Sequence, residues 1–227
     1  MYKNAIKSCV LNATRLLDDG VALYEMDRYN SAYMLVVLAQ EESAKVFLLN
    51  LIDENIIPWT KEIKKALRNH ECKHLIGELM FYLNPEFDIT LERSKMALSD
   101  FKPLPLPKNI LDIIDYFRYE KIERWISPRW WWGEDPGYDK NIKQIGEGKI
   151  ERAKQDATYC SIGIGGGVQA AQVCKESLEE QISRARQMLE IADGKLILSF
   201  REYKSVRQTF IVVFRSLFEK ENIISGG

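Results

Sequence analysis

Both histidines of the chain fall in one short segment, Arg68-Asn69-His70-Glu71-Cys72-Lys73-His74. On a helix, at about 100° per residue, His70 and His74 stand about 40° apart on one face with Lys73 beside them. Arg68 lies about 120° from His74 and reaches it only by crossing that face. Two chemistries fit these letters. His70-Glu71-x-x-His74 spells the zinc-peptidase signature, two imidazoles one turn apart with a glutamate as base. Lys73 weighs against it, because it sets an uncompensated cation beside the metal, and nothing singles out Glu78, Glu86 or Glu92 as a third ligand. Arg68-Asn69-x-x-x-x-His74 suits metal-free RNA cleavage instead. An imidazole that titrates near neutrality takes the 2′-hydroxyl proton, and a guanidinium forks onto the phosphate as charge develops. The bland alternative is a solvated helix end.

A second group of charges, Glu41-Glu42-x-x-Lys45, follows the apolar octet 32–39. On an exposed face such an i,i+4 pair contributes about 0.2–0.5 kcal/mol. Behind an apolar octet the charges are expected near the bundle interior, where they need partners such as Arg68 or Lys73. The supporting role read for Glu41, Glu42, Lys45 and Lys73 is to orient Arg68 or His74. A third segment, 124–132, holds four of the five tryptophans among arginines. Arg124, Arg129, Trp130 and Trp131 are candidate RNA-binding residues, since stacking an unpaired base is worth about 1–3 kcal/mol. Packing against the bundle or a second subunit is the competing reading. Gly163-Ile-Gly-Gly-Gly167 lacks the Gly-Lys-Ser/Thr ending of a phosphate loop, and a turn explains it.

The elements that must position these groups read as helices. Apolar residues recur every three or four positions over 4–25, and 27–30 make a turn. The stretch 31–52 has no Gly or Pro and an apolar beginning, as the buried central helix of a bundle requires. Together the two form a long antiparallel hairpin. A third helix is expected over 59–83, ended by Asn84-Pro85, and a fourth over 110–126, stopped by Ser127-Pro128. Residues 130–148, with four glycines and Pro136, read as a long loop inserted in the bundle. A short helix over 149–159, an amphipathic one over 174–192 capped by Gly194, and a last helix over 196–219 complete the pattern. The expectation is one helical domain over 1–227: a core at 4–100, a Pro-rich connector at 101–109, and additional helices with Trp- and Gly-rich loops at 110–227.

Composition narrows the class. The 227 residues are 46% apolar and 29% charged, globular values that exclude a disordered tail, a collagen or a disulfide scaffold. A net charge of −1 means that any polyanion site is local. No apolar run approaches the roughly 20 residues of a membrane span, and no signal peptide opens the chain, so a cytoplasmic protein without membrane contact is expected. Four cysteines far apart suggest neither disulfides nor a cysteine zinc site.

The order Asn12-Ala-x-x-Leu16, Asp27-Arg-Tyr-Asn-Ser-Ala32, Leu38-Ala39-x-Glu41-Glu42-x-x-Lys45 and His70-x-x-Lys73 resembles the abortive-infection protein V (AbiV) family. That family is a prokaryotic phage-defence branch of the HEPN superfamily. Arg68-Asn69 and His74 are similar to the Arg-polar…His signature of HEPN ribonucleases. The resemblance runs from Asn4 to Leu83 and thins beyond. It implies an all-α, HEPN-like bundle and a dimeric phage-defence effector that cleaves or binds RNA or blocks translation. Arg68, Asn69, His70 and His74 are then the catalytic candidates of a metal-independent endoribonuclease, with no cofactor and no metal. The implied partners are a second copy of the chain, RNA or the translation machinery, and a phage-encoded activator protein. A non-enzymatic interaction module of the same fold and a small zinc peptidase stay open as alternatives.

Overall fold

Asn12-Ala-x-x-Leu16 places Ala13, Leu16 and Leu17 on the buried stripe of α1 (Lys3–Glu25). A short turn, with Asp27 in the left-handed region at φ 57°, reverses the chain into α2 (Tyr29–Asp53). These helices come from a computed structural model, which describes residues 2–83, 108–129, 133–162, 168–169 and 172–195. The hairpin is tight because of one glycine: a Cβ on Gly20 would stand 2.9 Å from Val36 Cγ2. Tyr29 and Asn30, expected in the turn, already belong to α2.

α2 is the axis of the bundle, and both hydrophobic clusters of the core share it. Its buried polar groups find partners on other turns or other elements, as burial demands. Ser43 Oγ donates to the Ala39 carbonyl at 2.9 Å. Gln40 Nε2 donates to the Gln181 carbonyl at 3.1 Å, and Asn50 Nδ2 to the Ala192 carbonyl at 2.8 Å. The last two tie α2 to the C-terminal part of the described chain.

The single helix expected over 59–83 is in fact two, α3 (Lys61–Ala66) and α4 (His70–Leu83). Thr60 Oγ1 caps α3 by accepting from Ile63 N at 3.2 Å, and Asn69 Oδ1 caps α4 by accepting from Cys72 N at 2.8 Å. An asparagine competes with the backbone for such bonds, so it starts a new helix where periodicity alone would continue the old one. Arg68 consequently sits in the break, on a different element from His74.

α5 (Lys108–Asp115) passes into a π-helical segment, Tyr116–Glu123, and a last helical turn, Arg124–Ile126, before Ser127-Pro128. The inserted loop expected over 130–148 contains a helix, α6 (Lys140–Gly146), capped by Asp139, whose carboxylate accepts from Asn141 N and Ile142 N. Two of its glycines serve packing and a helix start. A Cβ on Gly146 would stand 2.1 Å from Tyr116 Cε1, and Gly148 takes φ 90° to start α7 (Lys149–Thr158).

A two-residue antiparallel ladder follows, β1 (Ser161–Ile162) with β2 (Val168–Gln169). α8 (Lys175–Glu190) then buries Leu178, Ile182 and Ala185 against the hairpin and Met188 in the other cluster, beside Gly77 of α4. Gly194 does not cap it: the backbone runs on into a π-helical turn, Ile191–Lys195. Apart from the ladder, the described secondary structure is helical, and the described residues form an all-α bundle. Residues 101–107 of the Pro-rich connector, the Gly163–Gly167 turn and the helix expected over 196–219 lie outside the described residues, whereas Lys108 and Asn109, expected to end the connector, open α5. The cysteines are free thiols, Cys72 buried and Cys160 and Cys174 exposed.

Candidate functional site

The buried helix α2 carries one carboxylate into the interior: Glu41 is 2% exposed. Such a charge demands counter-charges, and two helices provide them. From α4, Lys73 Nζ donates to Glu41 Oε2 at 2.6 Å. From α7, Lys154 Nζ donates to Glu41 Oε1 at 2.7 Å and lies 2.6 Å from Glu151 Oε2. His70 Nδ1 meets Glu41 Oε2 at 2.7 Å, and His74 Nε2 stands 3.6 Å from Oε1. Burial alone would push the Glu41 carboxyl up, but Lys73, Lys154 and His74 draw it down to about 2. Burial likewise disfavours the Lys154 ammonium, yet its bonds to Glu151 and Glu41 hold it above the ordinary lysine value.

The two histidines differ sharply. The His70 side chain is 44% exposed, whereas that of His74 is 2% exposed. Burial pushes His74 down to about 4 against the opposing pull of Glu41, so at neutral pH it is an uncharged imidazole behind the carboxylate.

Not every residue singled out by sequence joins this cluster. Arg68 is exposed at the break, and among the described residues its side chain makes no hydrogen bond or ion pair. Asn69 is spent on the cap of α4. Glu42 bonds Lys45 and faces Cys9 of α1, so neither charge reaches His70 or His74. Arg124 Nε donates to Glu120 at 2.7 Å, Arg129 is exposed, and Trp130 and Trp131 lie outside the described residues. Glu151 and Lys154 were not anticipated. The signal for Lys154 is that it falls on the inward stripe of α7 with Ile150, Ala153 and Ala157, where a lysine must find an acid.

The family model AbiV, of the HEPN superfamily, matches residues 1–190 of this chain. The chain belongs to the AbiV family. No curated protein and no solved structure matches it. AbiV membership places the chain with abortive-infection, HEPN-type defence. The matched region reaches the end of α8, and so includes Glu151 and Lys154 as well as the hairpin and α4.

In this AbiV chain Glu41, His70 and Glu151 each bring a ligand atom within 4.8 Å of the others. The chemistry of the donors does not suit a divalent ion, because the ammonium groups of Lys73 and Lys154 already engage both Glu41 oxygens. The zinc signature fits no better: His74 stands outside that group, and Glu71 lies 4.0 Å from Lys121. No helix among the described residues is long and apolar enough to cross a membrane.

The cluster also sets an acid sensitivity. His74 is held at about 4 in the fold against 6.5 ordinarily, so between those values the unfolded chain takes a proton that the folded chain refuses. Stability is therefore full above about pH 6.5 and falls by up to about 3 kcal/mol as pH drops to 4. Protonation of Glu41 continues the loss from 4.5 towards 2. Urea unfolding at intervals from pH 7.5 to 4 checks this, and His74→Gln should flatten the upper part of the curve.

Proposed function

We propose that this AbiV-family chain is a phage-defence effector that cleaves RNA without a metal, His70 being the catalytic acid–base group. The observation that carries the reading is the contact between the half-exposed His70 imidazole and the buried Glu41 carboxylate at 2.7 Å. With Glu41 ionised, its oxygen accepts a hydrogen bond from Nδ1–H, which leaves Nε2 with a lone pair. A carboxylate behind an imidazole fixes tautomer and ring orientation and stabilises the imidazolium that forms. Lys73 and Lys154 anchor that carboxylate, and His74 stands behind it as a positioning residue.

Arg68 lies two residues before His70, so their Cα atoms are no more than about 7.6 Å apart. Exposed and uncommitted, its guanidinium is available to a phosphate. In the step this supports, His70 Nε2 removes the 2′-hydroxyl proton, the 2′-oxygen bonds to the adjacent phosphorus, and the bond to the 5′-oxygen breaks. The leaving oxygen then needs a proton, which a second histidine, in its imidazolium form, supplies from Nε2. One chain offers one exposed histidine, so two copies with their α4 N-termini at a two-fold axis complete the site. RNA or the translation machinery, and a phage-encoded activator, are the further partners of this reading, in the cytoplasm.

Purified protein is expected to cut single-stranded RNA in EDTA and to run as a dimer by light scattering at micromolar concentration. A monomer would remove the two-copy site. Full phage protection without RNA cleavage would favour the interaction module.

A further inference from the structure

The segment leading into His70 is basic along one side. α3 and the turn after it carry Lys61, Lys64, Lys65 and Arg68, spaced i, i+3, i+4 and i+7, and all four are exposed. The backbone keeps helical bonds through this stretch, Leu67 N to the Ile63 carbonyl at 2.9 Å and Arg68 N to the Lys65 carbonyl at 3.1 Å. The opposite side, Ile63, Ala66 and Leu67, is buried in the core. Trp59, 45% exposed with one face of its ring stacked on Tyr2, precedes α3, and the Lys65 ammonium lies 4.4 Å from the centre of the Trp125 ring. Among the described residues none of the three lysines has an ion-pair partner. Arg129, four residues after Trp125, is also exposed, whereas Arg124 is paired with Glu120.

We propose that the exposed face of α3 is the track that delivers single-stranded RNA to His70, its lysines neutralising successive phosphates and Trp59 offering a base-stacking surface. The inference rests on RNA as the substrate of the His70 site. Four cations on two helical turns in a chain of net charge −1 make a local field that the composition as a whole does not supply. Cations interleaved with an aromatic ring suit a single strand, whose unpaired bases can stack without sequence preference. A membrane surface fits less well, because an interfacial helix inserts its apolar side and that of α3 is already buried. The position matters as much as the charge: Arg68 ends the stripe two residues before His70, so a strand bound there arrives with a phosphate beside the imidazole.

The test uses the full-length protein in the His70→Ala background, where cleavage is off, and follows binding of a fluorescein-labelled oligouridylate by anisotropy from 50 to 300 mM salt. Changing Lys61, Lys64 and Lys65 together to Gln should weaken binding and lower the salt slope by about 0.7 per lost phosphate contact, about 2 in all. Changing the same three to Arg should keep both affinity and slope. Trp59→Ala should weaken binding with the slope unchanged. Gln variants that bind as tightly as their parent, with the same slope, overturn the track. So does a parent protein that ignores the oligonucleotide and binds vesicles of anionic lipid or an acidic polypeptide instead. Binding that follows the lysines in a protein whose wild type never cuts RNA would uphold the track and reject the catalytic reading.

Discussion

Glu41→Ala is expected to lower the unfolding free energy by about 3–5 kcal/mol, the largest loss from any single polar side chain of the cluster. Lys73 and Lys154 are 6% and 7% exposed, and the substitution leaves both ammonium groups buried, Lys73 without its counter-charge and Lys154 with one of its two. What is lost is less the attraction within the group than the cost of a buried Lys73 charge left without its acid and a Lys154 charge held by Glu151 alone. Glu42→Ala is the contrast: its ion pair with Lys45 is partly open to solvent, and its removal should cost no more than about 1 kcal/mol. Urea unfolding at pH 7 reads both values. Replacing Glu41, Lys73 and Lys154 together by apolar residues of similar size should recover much of the loss, because a buried ion group is often no more stable than a well-packed apolar one. That triple variant, folded but without the carboxylate behind His70, should be inactive. A loss below about 1 kcal/mol for Glu41→Ala would mean that the cluster is hydrated and its charges independent.

How much of this was legible in the sequence follows from what each signal depends on. The hairpin was, because an apolar octet without Gly or Pro has no place but a buried helix, and Asp27 marks the reversal. The burial of Glu41 was legible for the same reason. The identity of its partners was not fully so: Lys73 sits in the same segment as the histidines, whereas Lys154 and Glu151 come from more than a hundred residues away. Only the stripe of α7 hinted at them. The break before α4 was missed because apolar periodicity runs through Leu67, while the asparagine cap that interrupts it is a local backbone effect. That break matters most for the site. It separates Arg68 from His74 and leaves Arg68 next to His70 instead. The helix α6 was hidden by the glycines at and just after its end, Gly146 pressed against the Tyr116 ring and Gly148 in the left-handed start of α7.

In the proposed reaction, histidine exposure decides which imidazole acts, and it is invisible in the spacing of 70 and 74. His70 is open to solvent and backed by Glu41; His74 is closed off and neutral at physiological pH. Loss of an acid–base group costs about 10²- to 10⁴-fold in rate. The most direct measurement is therefore the initial rate of single-stranded RNA cleavage in EDTA by wild type, His70→Ala and His74→Gln, each checked for an unchanged dimer. The prediction is that His70→Ala loses about 10²- to 10⁴-fold while His74→Gln stays within about tenfold of wild type. A silent His70→Ala beside an inactive, folded His74→Gln would contradict it and return the chemistry to Arg68 and His74.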